Sequence, residues 1–429
     1  MAEKIIFHVD VNSAFLSWTA AHRLLVLGEE EDLRTVPSVV APLDDVRRGI
    51  VLAKSPVAKK FGIQTGEPVG MAMQKCPNLR VVAPDYGLYV TASRAFIALL
   101  QEYSPVVEQY SIDEAWVDMT GSTSLFGSPI LAAEQMKDRI YRELGFTVNI
   151  GISSNKLLAK VAGDFEKPNK VHTLFPHEIE EKMWPLPVRD MFSVGPATER
   201  KLHDIGVYTI GQLAHTNVDL LRRRLHKPGE ILWHFAHGRC NEDFLSPPAE
   251  NKGYGNSATT PWDVKDLGEA RQVLLSLCET VTTRMRKDCQ RGALIAVNIR
   301  DTDFHDTSKQ MTLPSATNVT SEVYDYACRV LDLLWDRKTP LRQLGVSMGK
   351  LSHDVYRQCC LFDTQDYARM EKLDATVDKI REKYGEEAIC RARFLNGGVA
   401  ESMAGGLSKH RRTGVTKAVP EEDMFPKKE

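Results

Sequence analysis

At 429 residues the chain is too long for a single hydrophobic core and implies about two to four domains. Its 43% hydrophobic and 26% charged content is that of an ordinary globular protein; with no apolar run of spanning length, no basic-then-apolar leader and no C-x-x-C pair among eight cysteines, a membrane protein, a disulfide scaffold and a zinc fold are not expected, and a reducing cytoplasm is. The net charge of −2 argues against a uniformly basic nucleic-acid binder but hides clusters: acids gather at 29–32 and 421–423, Lys and Arg at 156–170, 221–227 and 284–291.

In chain order, Lys4 to Asn12 reads as an apolar strand that stops at Asp10, and residues 11–22 as a turn into a helix carrying Phe15, a residue type whose commonest fate is the core. Short apolar strands follow at 38–41 and 49–53, then Lys54-Ser55-Pro56-Val57-Ala58-Lys59-Lys60, and residues 86–103 form an amphipathic helix. Next comes Tyr110-Ser111-Ile112-Asp113-Glu114-Ala115-Trp116-Val117-Asp118, two strands meeting at an acidic turn. A lone Asp-Glu pair in a turn is ordinarily just solvated. With Asp10 ending another strand, three carboxylates fall at one sheet edge, where like charges are costly unless a cation holds them; oxygen ligands in that number favour two hard divalent ions, Mg²⁺ by default.

Residues 147–152 read as a strand, Ser153-Ser154 can cap a helix, and Asn155 through Glu166 keep helical periodicity. At about 100° per residue Lys156, Lys160 and Lys167 fall within about 40° of one another, opposite Leu157, Leu158, Val161, Ala162 and Phe165. Such a lysine stripe is usually a solvated face. Over 184–244, the run from Met191 to Leu213 has the form of a helix-hairpin-helix with turns at Gly195 and Gly206, in which backbone amides at a helix N-terminus approach a DNA phosphate; an ordinary αα-hairpin needs glycine too. Polar residues 245–257 read as a linker. A helix at 268–287, strands at 293–300 and 311–313, a helix at 321–336 and a strand at 341–351 then fit a β-α-β-β-α-β sandwich, made basic by Arg284, Arg286, Lys287, Arg291 and Arg300. Gln358-Cys359-Cys360-Leu361-Phe362, a helical stretch over 366–392 and a polar, aperiodic segment at 400–429, expected to be disordered, complete the chain.

Asp10-Val11-Asn12 followed by Phe15, with Ser111-Ile112-Asp113-Glu114 about a hundred residues on, resembles the Y-family translesion DNA polymerases, the class of bacterial polymerases IV and V; the similarity runs in the family's order through at least residue 362. It implies a multi-domain α/β right hand: palm at 1–22 and 77–172, fingers at 23–76, helical thumb at 173–244, linker at 245–257, little finger at 258–353, and at 354–429 a clamp-binding motif, a helical extension of Gram-positive type and a disordered tail. The resemblance implies that Asp10, Asp113, Glu114 and the carbonyl of Val11 hold two Mg²⁺, that Phe15 is the steric gate excluding a 2′-hydroxyl, and that Lys167, with Lys160 secondary, reaches the incoming triphosphate. Gly195, Gly206, Arg284, Arg286, Lys287 and Arg291 become DNA-contact candidates, and Gln358, Leu361 and Phe362 a peptide for a sliding clamp. The fingers depart from the pattern: Pro56 and Lys59 stand where the family carries a Tyr and an Arg that contact the triphosphate. Lysine keeps the charge without the planar fork and proline offers neither hydroxyl nor amide donor, leaving Ser55 or Lys54 to compensate.

The expected activity is low-fidelity, template-directed addition of deoxynucleotides to a primer by two-metal phosphoryl transfer, in damage tolerance. Primer-template DNA, deoxynucleoside triphosphates and a sliding clamp are the expected partners of a monomer. A palm-type nucleotidyl cyclase uses a similar acidic sheet, but the helix-hairpin-helix and the basic last domain favour nucleic acid. A catalytically silent, clamp-bound scaffold is the other rival; the intact acids argue against it, while Pro56 and Lys59 keep it open.

Overall fold

The computed structural model describes residues 4–42, 49–240, 250–353, 366–385, 388–394, 419–421 and 424–425, and the chain divides into two compact units, Met1–Pro248 with Lys417–Glu429, and Ala249–Thr416. The first opens with β1 (Ile6–Val11), α1 (Ala14–Leu25), β2 (Ser38–Val40), β3 (Ala53–Lys54), α2 (Pro56–Lys60), α3 (Val69–Lys75), β4 (Arg80–Val82) and α4 (Tyr86–Gln101). It continues with β5 (Val107–Gln109), β6 (Glu114–Asp118), α5 (Pro129–Leu144), β7 (Val148–Ser153), α6 (Lys156–Gly163) and β8 (Val171–Thr173), then α7 (Pro196–His203), α8 (Ile210–His215), α9 (Val218–Leu225) and α10 (Lys227–Ala236).

Five of these strands make one sheet, in the order β5-β6-β1-β7-β8, antiparallel except for its last pair. Alternation along β1 sends Phe7, Val9 and Val11 to one face, where they join Leu16 and Trp18 of α1, Phe96 of α4, and Met136 and Ile140 of α5 in the main core. The opposite parity gives Ile6, His8 and Asp10 to the other face, which α6 covers. Local chemistry sets the ends of the covering helices: Ser128 accepts the Leu131 amide, Pro129 occupies the first turn of α5, and Gly145 ends the helix at φ 76°. β2, β3 and β4 form a small sheet over a core of its own, including Val39, Val51, Ala58 and Ile63. The strand expected at 49–53 begins only at Ala53; Ile50 instead makes an isolated bridge to Pro68.

The second unit contains β9 (Gly253–Val264), α11 (Leu267–Lys287), β10 (Arg291–Asp301), β11 (Asp306–Thr317), α12 (Thr320–Leu334), β12 (Leu341–Ser352) and α13 (Tyr367–Tyr384). Its sheet, in the order β11-β10-β12-β9, is antiparallel throughout and packs one face on α11 and α12. Of the linker expected over 245–257, residues 253–257 are instead the start of β9, with Tyr254 in the core; pairing with β12 overrides the weak strand preference of Gly253 and Gly255, and residues 245–249 lie outside the described residues. α13 is fastened by charge. Asp378 receives Arg286 at 2.6 Å, Asp374 accepts the Thr320 amide at 2.7 Å, and Glu371 pairs with Arg291 at 2.7 Å.

Those contacts correct two DNA-contact expectations. The side chains of Arg286 and Arg291 are only 10% and 12% exposed and neutralise the acids of α13, so they are internal rather than turned to a phosphate backbone. The tail expected to be disordered is corrected in part: Met424 and Phe425 are buried in the main core of the first unit, an apolar pair too short to register as a periodic signal. Gln358, Leu361 and Phe362 lie outside the described residues. Among the described residues no helix is long and apolar enough to cross a membrane.

Arg286→Ala removes the cation between Asp374 and Asp378 and should destabilise the second unit by about 3 kcal/mol, read as a lower denaturant midpoint. Lys287→Ala, exposed on the same helix, should leave the midpoint unchanged.

Candidate active site

Backbone pairing builds the acidic edge. Asp10 near the end of β1 is the register partner of Glu114 at the start of β6, and the Val11 amide donates to the Asp113 carbonyl at 3.0 Å, tying the strand end to the hairpin. Ser111 donates to the Asp113 carboxylate at 2.5 Å. The structure thus brings Asp10, Val11, Asp113 and Glu114 to one end of the sheet, as the sequence indicates.

Positive charge arrives from α6. The helix lies so close to β7 that a Cβ on Gly151 would stand 2.0 Å from the Ala159 carbonyl oxygen and 2.4 Å from the Gly163 nitrogen, so only glycine permits the approach. Asn155 caps the helix by accepting the Leu158 amide at 2.9 Å. Lys160 then reaches Glu114, its ammonium 5.1 Å from the centre of the Tyr110 ring. Lys156, by contrast, is buried and binds Glu108 at 2.7 Å. Because α6 stops at Gly163, the lysine stripe expected to run on through Lys167 is broken: Lys156 is structural, Lys160 meets an acid, and Lys167 stands in the following loop.

Two asparagines hold that loop. Asn149 donates to the carbonyls of Gly163 at 3.1 Å and Glu166 at 2.6 Å, Asn12 accepts the Asn169 amide at 3.0 Å, and Asn12 donates to Asn149 at 3.1 Å. Lys167 is thereby presented to Asp10, with Asp164 at 2.9 Å on its other side. His8, 1% exposed, places Nε2 2.9 Å from Glu114. Sequence reasoning assigned no role to Asn12, Asn149 or His8; the signal present was a polar side chain in an apolar strand, which must find partners once buried.

Burial pushes the Asp10 carboxyl above the ordinary carboxylate range, with Lys167 working against that push. Burial also opposes the charge on Glu114, but hydrogen bonds from His8 and Lys160 overcome it and hold its pKa at about 2. For Lys167 burial again disfavours the charge, and Asp10 and Asp164 outweigh it, raising the ammonium above the usual lysine value. An all-oxygen donor set that already draws ammonium groups to itself fits hard divalent ions. The carboxylates are not gathered on a common point: the ligand atoms of Asp10, Asp113 and Glu114 do not all lie within 4.8 Å of one another, and among the described residues only Asp301, Asp303 and His305, on the β10–β11 turn, do so.

Phe15, half-buried on α1, is stacked on Tyr89 of α4 with ring centres 4.4 Å apart and planes 6° from parallel; Tyr86 meets it edge-on at 6.0 Å, and the Tyr89 hydroxyl lies 3.0 Å from Thr19 Oγ1. The nucleotide-binding expectation for Ser55 is corrected. Its fully buried hydroxyl donates to the Val36 carbonyl at 2.7 Å and accepts the Ala58 amide at 2.9 Å, capping α2, with Pro56 in the first turn. Lys59 is exposed on α2, and Lys54 has its pKa lowered by partial burial and by the charge of Lys59. Gly195 caps α7, and Gly206, at φ 78°, makes the turn that follows it.

Three family models match the chain: the impB/mucB/samB family over residues 9–164, the IMS family HHH motif over 176–207, and the impB/mucB/samB C-terminal domain over 251–360. The helix-hairpin-helix expected from 191 to 213 is thus matched further upstream, with Gly195 and Gly206 both inside it. The chain is 43% identical to a DNA polymerase IV from Clostridium acetobutylicum, over 91% of this chain and 98% of that one. It is 37% identical to DNA polymerase IV 2 of Bacillus subtilis, over 96% and 99%. Its backbone resembles a Y-family DNA polymerase chimera (TM-score 0.68, 23% identity, 82% of this chain and 100% of that one) and DinB from Sulfolobus solfataricus (TM-score 0.50, 25% identity, 80% and 98%).

Gly151→Ala places a methyl group against the backbone of α6 and should force the helix off the sheet, lowering stability by about 2 kcal/mol or more in denaturant titration. The same shift draws Lys160 from Glu114, so the Glu114 carboxyl, followed by NMR, should titrate above its wild-type pKa of about 2.

Proposed function

The chain belongs to the impB/mucB/samB family of Y-family DNA polymerases and is a DNA-directed DNA polymerase of translesion type, and from that footing we propose which residues carry its reaction. The observation that carries the assignment is the pairing of Asp10 opposite Glu114, with Asp113 on the same hairpin. Asp10, Asp113, Glu114 and the Val11 carbonyl would hold two divalent ions, Mg²⁺ by the hardness of the donors, which when bound lower the pKa of the primer 3′-hydroxyl and neutralise the triphosphate. Lys167, on its pinned loop, is the ligand for the triphosphate. Lys160, beneath Tyr110 and only 14% exposed, holds Glu114 in place and is the secondary phosphate contact.

In the fingers, Lys59 and Lys54 replace the usual contacts: two ammonium groups that repel each other are relieved by a polyphosphate. Proline at 56 is compatible with this arrangement because the first helical position has no use for its missing amide. A Phe15 ring fixed by face-to-face stacking resists swinging aside for a 2′-hydroxyl, which supports the gate reading. Nothing lies within 4 Å of where a Cβ on Gly195 would stand, leaving room for a DNA phosphate at the start of α7. Of the basic candidates in the second unit, Arg284 and Lys287 remain, joined by the polar sheet face turned away from α11 and α12, where Asn298, Ser308 and Gln310 are exposed.

Gln358, Leu361 and Phe362 engage a sliding clamp in this reading, and the enzyme works as a cytoplasmic monomer. The silent-scaffold alternative finds no support beside relatives named as polymerases at 43% and 37% identity over nearly their whole length.

Primer extension with Mg²⁺ on undamaged and abasic templates should be measurable for the wild type and should fall by about 10³-fold or more in Asp113→Ala and Glu114→Ala. Full activity in both variants would refute the metal-site assignment, and an inactive wild type, even with Mn²⁺, would refute the compensated fingers. Steady-state kinetics separate the two finger residues. Lys59→Ala should raise the deoxynucleotide KM roughly tenfold, whereas Ser55→Ala should cost about 1 kcal/mol of stability with KM unchanged.

A further inference from the structure

Val419, Met424 and Phe425 group with the first unit, although the residues before them, Ala249–Thr416, form the second. The Val419 amide donates to the Gly87 carbonyl at 3.4 Å and the Thr91 hydroxyl donates to the Val419 carbonyl at 2.6 Å, so this stretch is hydrogen-bonded along the first turns of α4. The Glu421 carbonyl then accepts the amides of Met424 at 3.0 Å and Phe425 at 2.9 Å, making a turn from which both side chains enter the main core, 0% and 7% exposed. Gly87 and Thr91 flank Tyr89, the residue on which Phe15 is stacked.

We propose that Val419–Glu421 with Met424 and Phe425 act as an intramolecular strap that holds the N-terminal turns of α4 and, through Tyr89, positions Phe15, so that exclusion of ribonucleotides depends on a distant stretch of the same chain. The first turn of a helix is where it opens most readily, and the turns bridged here carry Tyr86 and Tyr89, two of the three aromatic partners of Phe15; the third, Trp18, lies on its own helix. Val419 holds α4 by its backbone, while Met424 and Phe425 anchor the segment by burial. Thr91, Val419, Met424 and Phe425 are positioning residues: none of them meets the nucleotide in this reading, and all act on Phe15 through α4. The proposal rests on Phe15 being the sugar gate, and the controls are chosen to separate the two.

The test compares the full chain with a chain ending at residue 416, with Met424→Asp/Phe425→Asp, with the milder Thr91→Val, and with Phe15→Ala. The readouts are the ratio of kcat/KM for deoxy- over ribonucleotide incorporation, and hydrogen exchange of the amides of residues 86–91. The strap predicts that the shortened and double variants still extend primers with deoxynucleotides, lose about tenfold in the ratio, and exchange faster at 86–91, with Thr91→Val intermediate. A synthetic peptide spanning 415–429, added to the shortened chain, should restore the ratio. If Phe15→Ala loses discrimination while the strap variants keep both the wild-type ratio and the wild-type exchange, the strap is overturned. Faster exchange with an unchanged ratio overturns its control of the gate. An unchanged ratio in Phe15→Ala overturns the gate reading and this link with it, and exchange at 86–91 then decides whether the strap docks at all.

Discussion

Like charges gathered at the ends of two hydrogen-bonded strands are tolerated only where positive charge is built in beside them, and much of the first unit supplies that charge. The β1–β6 register sets Asp10 against Glu114 without regard to their repulsion, because the pairing is dictated by the apolar residues behind them. Two lysines answer, from two supports of different construction. Lys160 depends on a backbone-to-backbone approach that only Gly151 allows; Lys167 depends on a loop whose carbonyls and amides are held by Asn149 and Asn12. Both lysines rest on carboxylates of the proposed ion site, which sets negative charge for a cation beside positive charge for a polyanion.

The fingers show the same separation between what shapes the chain and what touches substrate. Ser55 and Pro56 are committed to starting α2, one as cap and the other in the first turn, and neither has a polar atom left to offer. In the proposed reading the triphosphate is left to Lys59 and Lys54, two neighbouring cations that take no part in starting the helix.

Charge in the second unit is spent largely within it. Arg286 and Arg291 hold the acids of α13, and Arg381 and Arg391 meet the buried Glu279. Pairs of this kind cancel within the fold and leave the net charge of −2 unchanged, so what bears on DNA is where the exposed cations sit, not the sum.

Most of the strands, the acidic hairpin, the later elements of the second unit and the candidate acids were legible in the sequence, because alternation, turn residues and the order of short motifs are local properties; β9, whose glycines give it a weak strand preference, was not. Lys160 and Lys167 were legible as charges near a motif, but their separate supports were not, since helix periodicity cannot reveal that α6 ends at Gly163. What only the tertiary structure decided is which polar groups are already engaged. Arg286 and Lys287 are two adjacent cations on paper; one is covered by α13 and the other faces water, a difference made by residues about ninety positions away. Asn149 and Ser55 likewise acquire their roles from partners 17 and 19 positions away, and Met424 and Phe425 find their core among residues between Phe7 and Ile152. The sequence by itself determined the class of chemistry, because that needs only residue types in order; the tertiary structure determined which residues remain available for it, because a hydrogen bond or ion pair made inside the fold removes that group from the site.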